Sequence, residues 1–201
     1  MNRTAESQPK ARLLTLGAAM ASERGLAGLT FGALASAAGV SKSGLFAHFP
    51  SKEALQVELL DRAALDFRDH VIAAGREAAA GLPRLAAIFQ AWLDWTAASG
   101  WAGGCPFVAA AAEFDDIAGP VRDHLVAQQQ SWLEALERYV ADAIGRGHLP
   151  ADTDAEQLAW EIQGAYLIHH FTKRLLDDVR AGERARTAFA RLTDNPPRRD
   201  R

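Results

Sequence analysis

Apolar positions along the 201-residue chain recur at intervals of three and four almost from end to end, and no alternating apolar-polar run persists. That spacing predicts helices throughout and no strand of note. Residues 1–9 are polar and read as a flexible tail. Leu13, Leu16 and Met20 then mark a first stripe, closed by Gly25. Thr30 is a good N-cap for a short helix carrying Leu34 and Ala35 that stops at Gly39, and Ser41 caps a second through Phe49. Beyond Pro50, Ser51 caps a longer helix with Leu55, Leu59, Leu60, Ala63 and Phe67 that runs past Val71. Gly81 and Pro83 punctuate the chain, and Leu85, Ile88, Phe89, Trp92 and Trp95 set a helix ending near Gly100. A Gly103-Gly104 loop leads through Cys105-Pro106-Phe107 into a short alanine-rich helix, broken between Asp115 and Pro120. Leu125, Trp132, Leu136, Tyr139 and Val140 predict a long amphipathic helix over 121–144. A mostly apolar helix over 155–177 and a last short one over 183–192 precede Pro196 and Pro197. The expectation is an all-α chain of about nine helices, a small unit followed by a larger bundle.

The segment Thr30 to Lys52 carries the most information. It reads as two short helices joined by a tight turn, with Gly39 where the first must end in a left-handed conformation. Val40 is expected to pack back between the helices, and Leu34, Ala38, Val40, Leu45 and Phe49 to form a miniature core. This is a helix-turn-helix, whose second helix enters the major groove of DNA. The outward positions of that helix are small or polar: Lys42, Ser43, Gly44, Ala47 and His48. Small residues let its backbone approach base edges, and Lys42 reaches a guanine edge or a phosphate. Lys52 opens the following helix, where the dipole already favours an anion such as phosphate. A hairpin used only for packing has no need of Lys42, His48 and Lys52 all facing outward.

Residues 12–55 resemble the DNA-binding domain of the TetR family of bacterial regulators. The matching elements are Ala35-x-x-Ala38-Gly39-Val40-Ser41-Lys42, then Leu45-Phe46-x-His48-Phe49, then Ser51-Lys52-Glu53-x-Leu55, preceded by Glu23-Arg24-Gly25. The resemblance implies a DNA-reading set of Thr30, Ser41, Lys42, Ser43, Gly44, Phe46, His48 and Lys52. Two positions depart from the family pattern. A tyrosine whose hydroxyl commonly meets a phosphate usually stands where this chain has Phe46, and a bulkier residue, often threonine, where it has Gly44. For Phe46, lacking that hydroxyl, core or partial-core packing is the plainer role; for His48 a surface or capping role is the alternative to contact with DNA.

The resemblance also implies that a helix-turn-helix domain over 1–55 is followed by a helical effector-binding and dimerisation domain over 56–201. Five tryptophans all lie after residue 90, and ligand sites are commonly apolar with a few polar anchors. The pocket candidates are Phe89, Trp92, Trp95, Phe107, Phe114, Trp132, Tyr139 and Tyr166, with Gln128, Glu113, Gln163, His169 and His170 as anchors; an aromatic stripe at helical spacing also serves as plain core. The helix over 155–176 carries Leu158, Ile162, Ala165 and Ile168, an apolar set expected to pair with a second copy in a four-helix arrangement.

Composition narrows the rest. At 49% hydrophobic and 23% charged residues the chain has material for a core and is not disordered. Net charge is −3, yet residues 1–60 carry six basic and four acidic side chains, a basic end on an acidic body. One cysteine, Cys105, excludes an internal disulfide and reads as a small buried hydrophobe more than a redox sensor. With no leader pattern and no apolar run of about eighteen residues, a soluble cytoplasmic protein with no membrane partner is expected. No nucleophile-base pair, phosphate-cradling glycine loop or metal-ligand spacing stands out: adjacent His169 and His170 point to different helix faces. The expectation is therefore no enzyme, no catalytic residue, no metal and no cofactor. The partners expected are double-stranded DNA with a near-palindromic operator, a second copy of the chain, and a small-molecule effector. Repression follows the family pattern; an activator, a regulator answering to a protein, and a helical small-molecule-binding protein without DNA function are the alternatives.

Overall fold

The computed structural model describes residues 7–99 and 101–199. Among them the chain is all-helical, with one isolated bridge between Thr153 and Arg198. The helices are α1 (Ser7–Arg24), α2 (Phe31–Ala38), α3 (Lys42–His48), α4 (Lys52–Phe67), α5 (Ala73–Glu77), α6 (Leu82–Ala98), α7 (Pro106–Phe114), α8 (Pro120–Gly145), α9 (Ala155–Leu175) and α10 (Ala181–Asp194). A π turn, Arg68–Ile72, joins α4 to α5 without a break, so the described residues make nine rods. The expected tail over 1–9 is helical from Ser7 onward; its first six residues, like the expected helix end at Gly100, lie outside the described residues.

By its internal contacts the chain divides into two compact units. The first is Met1–Asp66 with Ser99–Ala127, and the second Phe67–Ala98 with Gln128–Arg201. In the first, α1 packs on α2 and α2 on α3. Leu34, Leu45, Phe49, Leu55, Leu59 and Leu60 are buried there almost completely. Each such side chain contributes roughly 1.5–3 kcal/mol on leaving water. In the second, α10 packs on α9, α9 on α6, and α6 on α5 and the π turn. Its inward residues are Leu85, Ile88, Trp92, Trp95, Leu136, Val140, Leu158 and Ile162, all buried.

Candidate nucleic-acid interface

Local chemistry alone sets the turn between α2 and α3. The Thr30 hydroxyl accepts from the Ala33 N–H at 3.1 Å, satisfying a donor that the first turn of α2 leaves free. Gly39 ends the helix at φ 68°, ψ 31°, and its N–H reaches back to the carbonyls of Ala35 and Ser36. A Cβ at Gly39 would meet nothing within 4 Å, so the left-handed backbone and not crowding is what calls for glycine. Ser41 then caps α3, its hydroxyl accepting from the Gly44 N–H at 3.1 Å and lying 2.9 Å from the Ser43 hydroxyl. With Leu45 and Phe49 fully buried, α3 is clamped by its inner face.

The outer face of α3 carries Lys42, Ser43, Phe46 and Ala47, all exposed, with Gly44 and His48 half-buried at its edges. Two expectations change. Val40 does not pack back between the helices: it is 43% exposed, because the left-handed turn at Gly39 carries it outward. Phe46 is 53% exposed and packs by one face only, stacked on Phe31 with ring centroids 4.6 Å apart and planes 15° from parallel. Lys52 donates from Nζ to the Ala27 carbonyl at 2.6 Å, which leaves its other N–H groups for an anion. The first turn of α4 already holds a carboxylate. The Glu53 carboxyl is held below its usual range by its own backbone N–H first, then by the Ser51 hydroxyl and the Lys52 charge.

Sequence reasoning missed what pins the loop between α1 and α2. Within the first unit, Glu113 at the end of α7 accepts the Ala27 N–H at 2.7 Å. Lys52 holds the Ala27 carbonyl, and the buried Gln56 amide donates to the Leu26 carbonyl at 2.8 Å. The Gly103 N–H donates to the Ser22 hydroxyl at 2.6 Å. Gly25 has φ 79°, a left-handed backbone that favours glycine, and a Cβ there would fall 1.8 Å from the Glu113 carboxylate and push it off its place.

The pocket candidates fall into two groups. Phe107, Phe114 and the anchor candidate Glu113 belong to the first unit; Phe89, Trp92, Trp95, Gln128, Trp132, Tyr139, Gln163, Tyr166, His169 and His170 belong to the second. In the second unit three of them meet Phe67, which sequence reasoning assigned only to the apolar face of its helix, and Tyr166 joins through Trp92 and Trp95. Phe67 meets Trp92, Trp95 and Trp132 edge-on at 6.1, 5.3 and 4.8 Å, and Trp92 stacks on Tyr166 at 4.0 Å. Trp95 donates from Nε1 to the Tyr166 hydroxyl at 3.3 Å, and Trp132 to Gln163 Oε1 at 3.2 Å. Trp92, Trp95 and Tyr166 are buried in this cluster, and Phe67 and Trp132 are half-buried at its edge. Phe89 lies apart from it, stacked on Phe189 at 4.7 Å. His169 lines an open cleft of about 420 Å³ with Asp94, Lys173, Asp177 and Arg186. Burial first, then the charge on Lys173, pushes its imidazole below the usual range.

Three of the four residues singled out for a dimer interface face inward. Leu158 and Ile162 are wholly buried within the single chain and Ala165 nearly so; Ile168 is exposed. The apolar residues that α9 does expose are Trp160, Leu167, Ile168, Phe171 and Leu175. Among the described residues no His, Cys, Asp and Glu cluster could hold a metal ion, and no helix is long and apolar enough to cross a membrane. Cys105 is buried.

The description of bacterial regulatory proteins of the tetR family matches residues 13–59, and that of the tetracyclin repressor-like C-terminal domain matches residues 81–189. Among curated proteins no sequence matches. A TetR transcriptional regulator from Chloroflexus aurantiacus J-10-FL superposes with a TM-score of 0.86 at 25% identity, covering 96% of this chain and 98% of that one. A TetR-family regulator from Streptomyces coelicolor gives 0.81 at 23%, covering 94% and 95%. AibR, solved in complex with isovaleryl coenzyme A and operator DNA, gives 0.70 at 20%, covering 94% and 100%, a likeness of fold.

Proposed function

The chain belongs to the TetR family of bacterial regulatory proteins, and on that premise we propose that this DNA-binding transcriptional regulator works as a homodimeric repressor released by a small molecule. The single observation that carries the reading is the outer face of α3. A capped, inwardly clamped helix turns Lys42, Ser43, Phe46 and Ala47 outward, with His48 at its edge. Residues 1–55 would form the reader and 56–201 the effector-binding and dimerising body. Thr30, Ser41 and Gly44 would shape the reader, while Lys42, Ser43, Phe46, His48 and Lys52 would contact DNA. Two α3 helices about one DNA turn apart, roughly 34–36 Å, call for a near-palindromic operator. The second copy would meet the exposed stripe of α9, from Trp160 through Ile168 and Phe171 to Leu175. The small molecule acts by binding one dimer geometry better than the other. AibR holds an acyl thioester and operator DNA in one structure, which supports a small-molecule effector for this chain too.

A mobility-shift titration of purified protein against DNA from upstream of its own gene, with excess random competitor and several salt concentrations, tests this. A competitor-resistant shift at dimer stoichiometry that weakens steeply with salt is expected. Lys52→Ala weakens binding to every sequence alike and lowers the salt slope by about one contact. A wild-type slope in that variant overturns the phosphate role of Lys52. Binding of the unmodified protein that no DNA sequence improves over random DNA overturns the regulator's operator-reading surface on α3.

A further inference from the structure

The outer face of α3 has an apolar centre, the ring of Phe46. Phe46 and Lys42 stand four residues apart and so lie on one side of the helix. Both rest on the first turn of α2. The Phe46 ring stacks on Phe31, and the Lys42 stem runs over Gly32, where a Cβ would stand 3.4 Å from Lys42 Cε and 3.7 Å from its Nζ. The two side chains are thus held in place before any partner arrives. One face of the Phe46 ring is covered; the residue keeps about half its surface in water, with exposed Val40 on the α2–α3 turn. Phenylalanine has no donor or acceptor, so it reports nothing about the hydrogen-bonding edge of a base and gives a phosphate oxygen no bond. In the major groove the apolar group that a base presents is the C5-methyl of thymine.

We propose that Phe46, stacked on Phe31, reads a thymine methyl in each half-site of the operator. This rests on the reading of α3 as the DNA-facing helix. Specificity at that position then comes from covering a methyl and a ring together, while Lys42, Ser43 and His48 supply the polar contacts around it. The charge neighbouring the patch favours DNA as the occupant: Lys42, on the same side of α3 as Phe46, is exposed, and Lys52 at the start of α4 keeps N–H donors for an anion.

The test selects binding sites for the full-length protein from a random duplex pool, then replaces each thymine of the selected site by uracil. That change removes one methyl and leaves every pairing group intact. Covering one methyl is worth about a fourfold change in affinity, so a symmetric pair of thymines should each show about fourfold weakening, and roughly fifteenfold together. In Phe46→Ala the same pair should bind thymine and uracil alike. If no thymine-to-uracil exchange weakens wild-type binding by more than about twofold, the inference fails while the regulator stands. An exchange effect that survives unchanged in Phe46→Ala assigns the methyl to another side chain and overturns the inference as well. A pool that yields no preferred sequence removes the DNA-reading premise and the inference with it.

Discussion

Large apolar side chains stand in water on two faces of this molecule, and their neighbours differ. On α3 the exposed ring of Phe46 sits among Lys42, Ser43 and Ala47, with Val40 on the preceding turn. On α9 Trp160, Leu167, Ile168, Phe171 and Leu175 follow one another up a single face, with Gly164 between them. A short apolar island next to cations suits a polyanion that carries occasional methyl groups. A stripe that runs the length of a 21-residue helix suits the same stripe on a second copy. Exposure alone does not name a partner; the groups that surround the exposed side chains do.

The largest expected effect separates the two sides of α9. Ile162 is fully buried, and Ile162→Ala is expected to cost about 2–5 kcal/mol of folding stability. Phe171, on the other side, is half exposed, and Phe171→Asp should leave the fold of one chain intact while splitting the dimer. Chemical denaturation and sedimentation, run on both variants, make the comparison. A Phe171→Asp protein that still sediments as a dimer moves the interface off this face, and an Ile162→Ala protein as stable as the parent denies that its side chain is core.

The same helix illustrates what could be read from the sequence. At about 100° per residue, Leu158, Ile162 and Ala165 lie within about 60° of one another, and Ile168 stands at the edge of that side, about 120° round from Ile162. Grouping the four as one stripe ran past the edge of the covered side, where Ile168 already stands in water. Both faces are apolar, so periodicity alone does not say which one its own chain covers. The α2–α3 turn was legible because its determinants are local: a hydroxyl at Thr30, another at Ser41, and a glycine at the left-handed position between them. Val40 and Phe46 were not legible in the same way, since valine and phenylalanine are the usual currency of a core and only the placed backbone shows which way they point. The hold of Glu113 on Ala27 joins residues 86 positions apart, and no spacing rule reaches that far.

That hold is the second point of leverage. Glu113 orders the loop from which α2 departs, so the α3 face depends on it while the α9 face does not. Glu113→Ala should lower stability by about 1 kcal/mol, since a charge-assisted bond to a backbone N–H is lost at an exposed site. Operator affinity should fall with it, with no change in the dimer. Glu113→Gln keeps an oxygen that can accept from Ala27 and should recover most of the loss. Equal operator affinity in Glu113→Ala and the parent would mean that the loop is set without this carboxylate.

The smallest effect is a dependence on pH carried by two histidines of the second unit. Burial first, then nearby positive charge, pushes both His169 and His170 below the ordinary histidine range; Lys173 is the leading charge for His169 and Arg174 for His170. Asp94 and backbone carbonyls at Leu93 and Ala181 act against this at His169. A histidine with a depressed folded-state value binds its proton more readily when unfolded. Its contribution is therefore complete above the unfolded value near 6.5, is lost as pH falls below that, and levels off below the folded value. Each group adds a slope of at most about 1.4 kcal/mol per pH unit. Thermal melts between pH 7.5 and 5.5 should show stability falling on the acid side. His169→Gln, which removes one of the two groups, should flatten the decline without abolishing it. Phenylalanine carries no titratable group, so a Phe46→Ala protein should show the parent's pH profile, and one that did not would break the separation between the two faces.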